Sequence, residues 1–445
     1  MIQKIKIASL AGELGIGGTA RQIVTIDKYL NKDFFDHYII LLKSGDNERI
    51  KFLESKNIIW VSDVKEIPDE LAKNQIDVLY IHRHGRNQPE HDSLAEKLPQ
   101  NLAVLELNTF SAFDPGFFNQ RCDKHIFVSR TNVLKYLVQN NLKFDFDKYK
   151  VVHALIDSEN FLSHLPGEEE LSLFKKKYDL NGFFVVGRIA RPVMGKWDEK
   201  TITFWKKICQ SRSDIKFLIY GVPEERKQDL INAGRKENLI ILEPTYNDKE
   251  LALFYSSLDV LLQLSPIGEC SCGTIAEAML FKKPIIASST PFPRFALGKT
   301  HTRDNGQIEQ IENGINGYVI KNAEATAKAV LNLSSNQALA QKMGAKNNSE
   351  VLEKYDVKVG IKTLEKIFIE SVVEKNIGIS EEIVRYYDSL SFYPSEADVK
   401  FWFKEYYLRL KKIFCPECRD SMQDKISYYR NVLKRKLRTL LSKFI

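Results

Sequence analysis

The sequence predicts an α/β protein made of two tandem doubly wound domains. Two observations carry this. Short runs of Ile, Val and Leu recur along the chain, each bounded by polar or turn residues, as strands buried on both faces of a parallel sheet require. Helix-length segments separate them, and strand–helix alternation is the signature of a doubly wound sheet. The length, 445 residues, suits two or three domains at roughly 150 residues each.

In chain order, the first series of strands is expected at Ile5–Leu10, Tyr38–Leu42, Ile58–Val61, Val78–Ile81, Val104–Leu107, Ile126–Val128 and Val151–His153, with helices such as Ala20–Leu30 and Arg130–Asn140 between them. The second series is Phe183–Val186, Phe217–Tyr220, Leu239–Leu242, Val260–Leu264, Ile285–Ala287 and Tyr318–Ile320, separated by helices such as Thr201–Ser211, Lys249–Ser256 and Thr274–Phe281. The join is placed in Asp157–Glu170, where Leu165-Pro166-Gly167-Glu168-Glu169-Glu170 reads as a linker. Beyond residue 355 the pattern is helical and aromatic: Val357–Val373, Ser380–Ser389 and Ala397–Phe414. The expected domains are therefore 1–165, 166–355 and a helical extension, 356–445. Two such sheets in tandem place a cleft between their carboxyl ends, where ligands bind.

Composition narrows the function. The chain is 44% hydrophobic and 28% charged, which excludes a disordered or fibrous protein. It has no run of 18 apolar residues and no signal-peptide core at Met1–Ile7, so a cytoplasmic protein is expected. Seven basic residues and no acidic one lie in Lys425–Ile445, so the +7 net charge belongs to the tail and the rest is neutral (7 − 7 = 0). That distribution argues against a nucleic-acid partner, which needs basic charge spread over a folded face.

Four constellations carry chemistry. In Glu269-Cys270-Ser271-Cys272-Gly273-Thr274-Ile275-Ala276-Glu277 two glutamates flank a small-residue helix start. Amide N–H groups at such a start favour a phosphate, and the carboxylates would accept from hydroxyls on either side of it. A solvated loop acid and an ordinary helix glutamate would look the same. In Gly187–Trp197, Arg188 and Lys196 suit a departing diphosphate, Arg as a fork of donors and Lys as a point charge; a basic surface loop is the other reading. Gly12–Arg21 holds Gly17 and Gly18 between a strand and a helix, where backbone can approach a ligand. The full Gly-x-Gly-x-x-Gly fingerprint is missing, which counts against a dehydrogenase. His84, in His82-Arg83-His84-Gly85-Arg86, ends a strand and faces the expected cleft, where a structural histidine would also sit.

The Glu-x7-Glu spacing, Ala276-Glu277-Ala278-Met279, Lys283-Pro284-Ile285-Ile286-Ala287-Ser288, Asp304–Glu309 and Glu312–Tyr318 together resemble GT-B glycosyltransferases, in particular the retaining family GT4. The resemblance spans about residues 1–370. It implies that Glu277 binds ribose hydroxyls, that Glu269 contacts the donor sugar, that Arg188 and Lys196 neutralise the diphosphate, and that Gly17 and Gly18 lie near the donor phosphates and acceptor. The sequence departs from the family at Ser271-Cys272, where Phe-Gly is usual, and at Lys282, where Gly is usual. The Arg188-x7-Lys196 spacing is longer than the common Arg-x4-Lys.

The function expected is transfer of a sugar from a UDP- or GDP-linked donor to a glycan or lipid-linked acceptor, with retention and without a metal or cofactor. The alternatives are a nucleotide-sugar epimerase of the same shape and a non-catalytic sugar-nucleotide-binding protein. Cys270-x-Cys272 and Cys415-x2-Cys418 read as packing cysteines rather than zinc ligands. The tail has apolar residues at helical spacing (Tyr429, Leu433, Leu437, Leu440, Leu441, Phe444) among its seven cations, a pattern suited to the inner face of an anionic membrane or to a helix packed on the body.

Overall fold

The computed structural model describes residues 3–15, 17–43, 47–245, 247–289 and 304–414. The tail 425–445, Cys415 and Cys418 lie outside the described residues. The chain divides into two compact units.

The first unit holds a seven-stranded sheet: β1 Ile5–Leu10, β2 Phe35–Leu42, β3 Ile58–Val61, β4 Val78–Arg83, β5 Ala103–Asn108, β6 Lys124–Phe127 and β7 Tyr149–Val151. Its order is β3-β2-β1-β4-β5-β6-β7, and every neighbouring pair is parallel. β5 and β6 are buried along their whole length, and the charged groups they carry are paired, Glu106 with His125 and Lys124 with Glu370. The last strand lies two residues earlier than Val151–His153.

The second unit holds β8 Phe184–Ile189, β9 Ile215–Tyr220, β10 Leu239–Leu242, β11 Val260–Gln263, β12 Ile285–Ser288 and β13 Gly317–Ile320, again all parallel, in the order β10-β9-β8-β11-β12-β13. Both sheets follow the doubly wound pattern, in which strand order reverses beside the first strand and opens a crevice at the carboxyl ends. That switch point lies between β1 and β4 in the first sheet and between β8 and β11 in the second. Trp205, Phe204, Phe217, Val260, Ile286, Val330 and Met343 fill the core of the second unit.

The boundary falls between Leu155 and Ile156 rather than at 165–166. Leu165–Glu170 is not a free linker: Ser158–Ser163 is helical, and Gly167 starts a helix over Glu168–Lys177. Three glutamates open that helix and three lysines close it, each matching the helix dipole. The segment beyond 356 is no third unit either. Val357–Phe403 belongs with the first sheet. Helix Val357–Glu374 buries Ile361, Leu364, Ile367 and Phe368, and the Phe368 ring lies 5.5 Å from that of Tyr80 on β4. Glu370 on the same helix receives two buried lysines, Lys124 at 3.2 Å and Lys150 at 3.0 Å.

Candidate active site

The second sheet assembles most of the expected residues at its switch point. Arg188 is the penultimate residue of β8, so it lies on a strand and not in a surface loop. It is 1% exposed. Its Nη2 donates to the carbonyl of Lys196 at 2.7 Å, and its guanidinium lies 5.0 Å from the Trp197 ring. Its Nε and Nη1 have no partner among the described residues. Burial pulls its pKa down to about 10, with Asp198 and Glu269 opposing, so it stays a cation at neutral pH. A buried guanidinium with two unpaired donors is costly unless an anion completes it.

The loop after β11 comes from 73 residues further along and brings Glu269 to Lys196. Lys196 Nζ lies 2.9 and 3.1 Å from the two carboxylate oxygens. Burial lowers the lysine pKa, but the Glu269 charge and hydrogen bond outweigh it, so the net shift is upward. Gln263, the last residue of β11, donates to Glu269 Oε1 at 3.1 Å. The Glu269 loop is held from a second side by helical turn Gln307–Gln310. Glu269 N–H donates to Gln307 Oε1 at 3.1 Å, Gly306 N–H donates to the Glu269 carbonyl at 2.6 Å, and Gln310 both receives the Cys272 N–H and donates to the Cys272 carbonyl, at 3.1 and 3.0 Å. The backbones are so close that a Cβ on Gly268 would lie 1.8 Å from the Asp304 carbonyl oxygen.

Helix Gly273–Leu280 follows, with Cys272 at its N-cap making no side-chain cap bond. Ser271 Oγ is buried and has no partner among the described residues, while Thr274 Oγ1 pairs with Cys272 Sγ at 3.1 Å. Burial raises the Cys272 thiol to about 12, and Cys270 donates to Asp304 Oδ2 at 3.2 Å. These cysteines are packing thiols. Glu277 is buried, and Tyr255 OH donates to its Oε2 at 2.6 Å. Its Oε1 faces the helix start, 4.0 Å from where a Gly273 Cβ would be. A shallow pocket of about 250 Å³ opens beyond β9 and β10, among Pro192, Val222, Glu224, Ile241 and Pro244.

The remaining expected residues lie in the first unit. Gly17 caps and Gly18 begins helix Gly18–Tyr29 after β1, and both have open space where a Cβ would be. His84 follows β4, is half-buried, and receives the Arg86 N–H on Nδ1 at 3.1 Å. Burial, then Arg83 and Arg86, lower its pKa, so the ring is neutral at pH 7 with its proton on Nε2. Nearby, Glu106, Cys122 and His125 have metal-like spacing. However, Arg83 Nε is 3.3 Å and His125 Nδ1 2.6 Å from the Glu106 carboxylate, so that acid already serves a buried ion-pair network.

Tyr255, Gln263 and Gln310 are absent from the sequence reading, and Gln307 stands there only within Asp304–Glu309, with no role of its own. Gln307 and Gln310 had a signal: they stand three apart in Asp304–Gln310, on one face of a turn. Tyr255 had none, since a buried aromatic in an amphipathic helix reads as core.

Residues 174–350 match the family model for glycosyl transferases group 1. Poly(ribitol-phosphate) alpha-N-acetylglucosaminyltransferase of Staphylococcus aureus (strain COL) is 20% identical over 299 residues, covering 64% of this chain. The chain spans only 54% of that relative's length. Among solved structures, a glycosyltransferase from Rickettsia africae ESF-5 aligns with a TM-score of 0.66 at 18% identity, over 83% of this chain and 99% of that one. Anabaena HepE in complex with UDP-glucose aligns at 0.61 and 16%, over 87% and 100%. These likenesses, with both sheets all parallel, show the GT-B fold. The chain thus has the GT-B fold, and within it residues 174–350 are similar to the glycosyl transferases group 1.

Proposed function

We propose that the protein transfers a hexose from a UDP- or GDP-sugar to a glycan or lipid-linked acceptor, with retention at the anomeric carbon and without a metal. The observation that carries this reading is the Lys196–Glu269 pair beside the buried, half-satisfied Arg188 at the switch point of the second sheet. In transfer, the bond between the anomeric carbon and the diphosphate oxygen breaks, and negative charge grows on the departing phosphate. Arg188 and Lys196 are cations at that point, and the start of helix Gly273–Leu280 adds amide donors. Two fixed cations supply the neutralisation that a divalent ion provides elsewhere. Glu269 would accept from sugar hydroxyls, Glu277 from the ribose with Tyr255 orienting it, and the pocket beyond β9 and β10 would take the base. In the first unit Gly17 and Gly18 would give close backbone approach, and His84, with its proton on Nε2, would donate to a sugar or acceptor hydroxyl. Retention is carried over from the family resemblance. The relative from Staphylococcus aureus is named for a poly(ribitol-phosphate) acceptor, which supports a polymeric glycan-type acceptor here. Among the described residues no helix is long and apolar enough to cross a membrane; reversible attachment through Lys425–Ile445 on the cytoplasmic side is part of the proposal.

The test is a panel of UDP- and GDP-sugars in thermal unfolding, followed by product analysis. A ligand at about 100 times its dissociation constant adds roughly 2.7 kcal/mol of stability. The true donor should raise the melting point and yield free nucleoside diphosphate. An epimerised nucleotide sugar, or binding without turnover at any acceptor, would overturn the transferase reading.

A further inference from the structure

We propose that Tyr406 and Arg409, on helix Glu396–Phe414, are positioning residues for the Glu269 loop. This rests on the reading that Glu269 contacts the transferred sugar. The connection from β12 to β13 leaves the sheet after Ser288 and returns at Gly317. Among its described residues it has one helical turn, Gln307–Gln310. A single turn does not hold its own shape, because the first hydrogen bond fixes several residues for little gain. Yet Gln307 and Gln310 of this turn, with Gly306 just before it, supply four hydrogen bonds that hold the backbone of Glu269 and Cys272. Its position must come from outside.

On the other side of the turn stand Tyr406 and Arg409, three residues apart and so on one helix face. Tyr406 is 1% exposed, and its hydroxyl accepts from Asn305 Nδ2 at 3.1 Å; Asn305 is fully buried. Arg409 Nη1 donates to the Ile308 carbonyl at 3.2 Å, and Nη2 lies 3.4 Å from Glu312 Oε2. The two side chains therefore grip the segment just before, within and just after the turn. Gln307 Nε2 donates to Asn305 Oδ1 at 3.4 Å, and Gln307 Oε1 accepts the Glu269 N–H. The path from helix Glu396–Phe414 to Glu269 is thus continuous: Tyr406, Asn305, Gln307, Glu269.

The test uses the full chain with Tyr406→Phe, Arg409→Ala and the double variant. Cys270 and Cys272 sit in the loop and are 8% and 4% exposed, and Cys122 and Cys209 are buried elsewhere. Thiol-labelling rates at each cysteine, resolved by peptide mass spectrometry, therefore report loop packing without any assay of activity. The expected result is labelling at Cys270 and Cys272 faster by about fivefold or more in the double variant, as loss of about one net hydrogen bond implies, with Cys122 and Cys209 unchanged. Turnover should fall by a similar factor. Unchanged labelling at Cys270 and Cys272 overturns the proposal, as does an equal rise at all four cysteines, which marks general loosening. If the wild-type chain turns over no nucleotide sugar, the transferase reading falls, and the labelling pattern still decides whether helix Glu396–Phe414 holds the loop.

Discussion

Arg188 concentrates the chemistry at the residue scale. It is buried, charged and only partly hydrogen-bonded, so its worth should show in turnover more than in folding. Arg188→Ala is expected to cut turnover at least about 100-fold, the scale of losing one preorganised donor, with circular dichroism and melting close to wild type; near-normal turnover would remove it from the site. The two glutamates should separate by ligand. Glu277→Ala is expected to weaken binding of free nucleoside diphosphate in calorimetry, whereas Glu269→Ala should spare it and slow turnover, and the reverse pattern would mean the roles are exchanged. Histidines set the acid response. Burial lowers His91 to about 4 and His82 to about 3, while an unfolded histidine titrates near 6.5. Between those values the unfolded chain binds protons that the folded chain refuses. This contribution is therefore complete above about pH 6.5 and is lost progressively as pH falls toward 4. Denaturant midpoints between pH 4.5 and 7.5 should rise with pH, and His91→Gln should flatten the slope; an unaltered slope would refute this. Arg188, Lys196, Glu269 and Glu277 stood out in the sequence as the groups that diphosphate and hydroxyl recognition would demand. Their partners were not. Nothing along the chain announces that Tyr255 meets Glu277, 22 residues later.

Elements were legible wherever local chemistry decides them. The doubly buried strands declared themselves as continuous Ile, Val and Leu, and Ile58–Val61 and Leu239–Leu242 have the expected limits. The helix at Glu168–Lys177 was misread because Pro166-Gly167 draws the eye to a turn, although the acid-first, base-last order that stabilises it was in plain view. Turn chemistry gives a further prediction. Lys282, exposed, ends helix Gly273–Leu280 with φ 58, in the left-handed region that glycine adopts without cost. Lys282→Gly is expected to raise stability by roughly 1 kcal/mol, the left-handed penalty less the freedom glycine adds to the unfolded chain, read as a higher melting temperature; a lower one would show that the lysine side chain contributes more than its backbone costs.

At the scale of the whole molecule, charge and connectivity dominate. The seven cations of Lys425–Ile445 are each worth about 1 kcal/mol near an anionic surface before screening. The full chain should sediment with anionic liposomes at low salt and be released at high salt, and deletion of 425–445 should abolish this while leaving nucleotide binding unchanged. A chain that stays in the supernatant would mean the tail does not serve a membrane. The sequence by itself determined the α/β class, two rounds of strand–helix alternation and the residue types at the end of each strand. These follow from burial pattern and local spacing, which are properties of short segments. Only the tertiary structure decided that Val357–Phe403 returns to the first sheet, that Lys196 pairs with Glu269, and that a turn at 307–310 holds the Glu269 loop. Hydrophobic burial is non-directional: an apolar face specifies that it must be covered, not which distant segment covers it. The directional bonds that make the site form only after sheet order has brought those segments together.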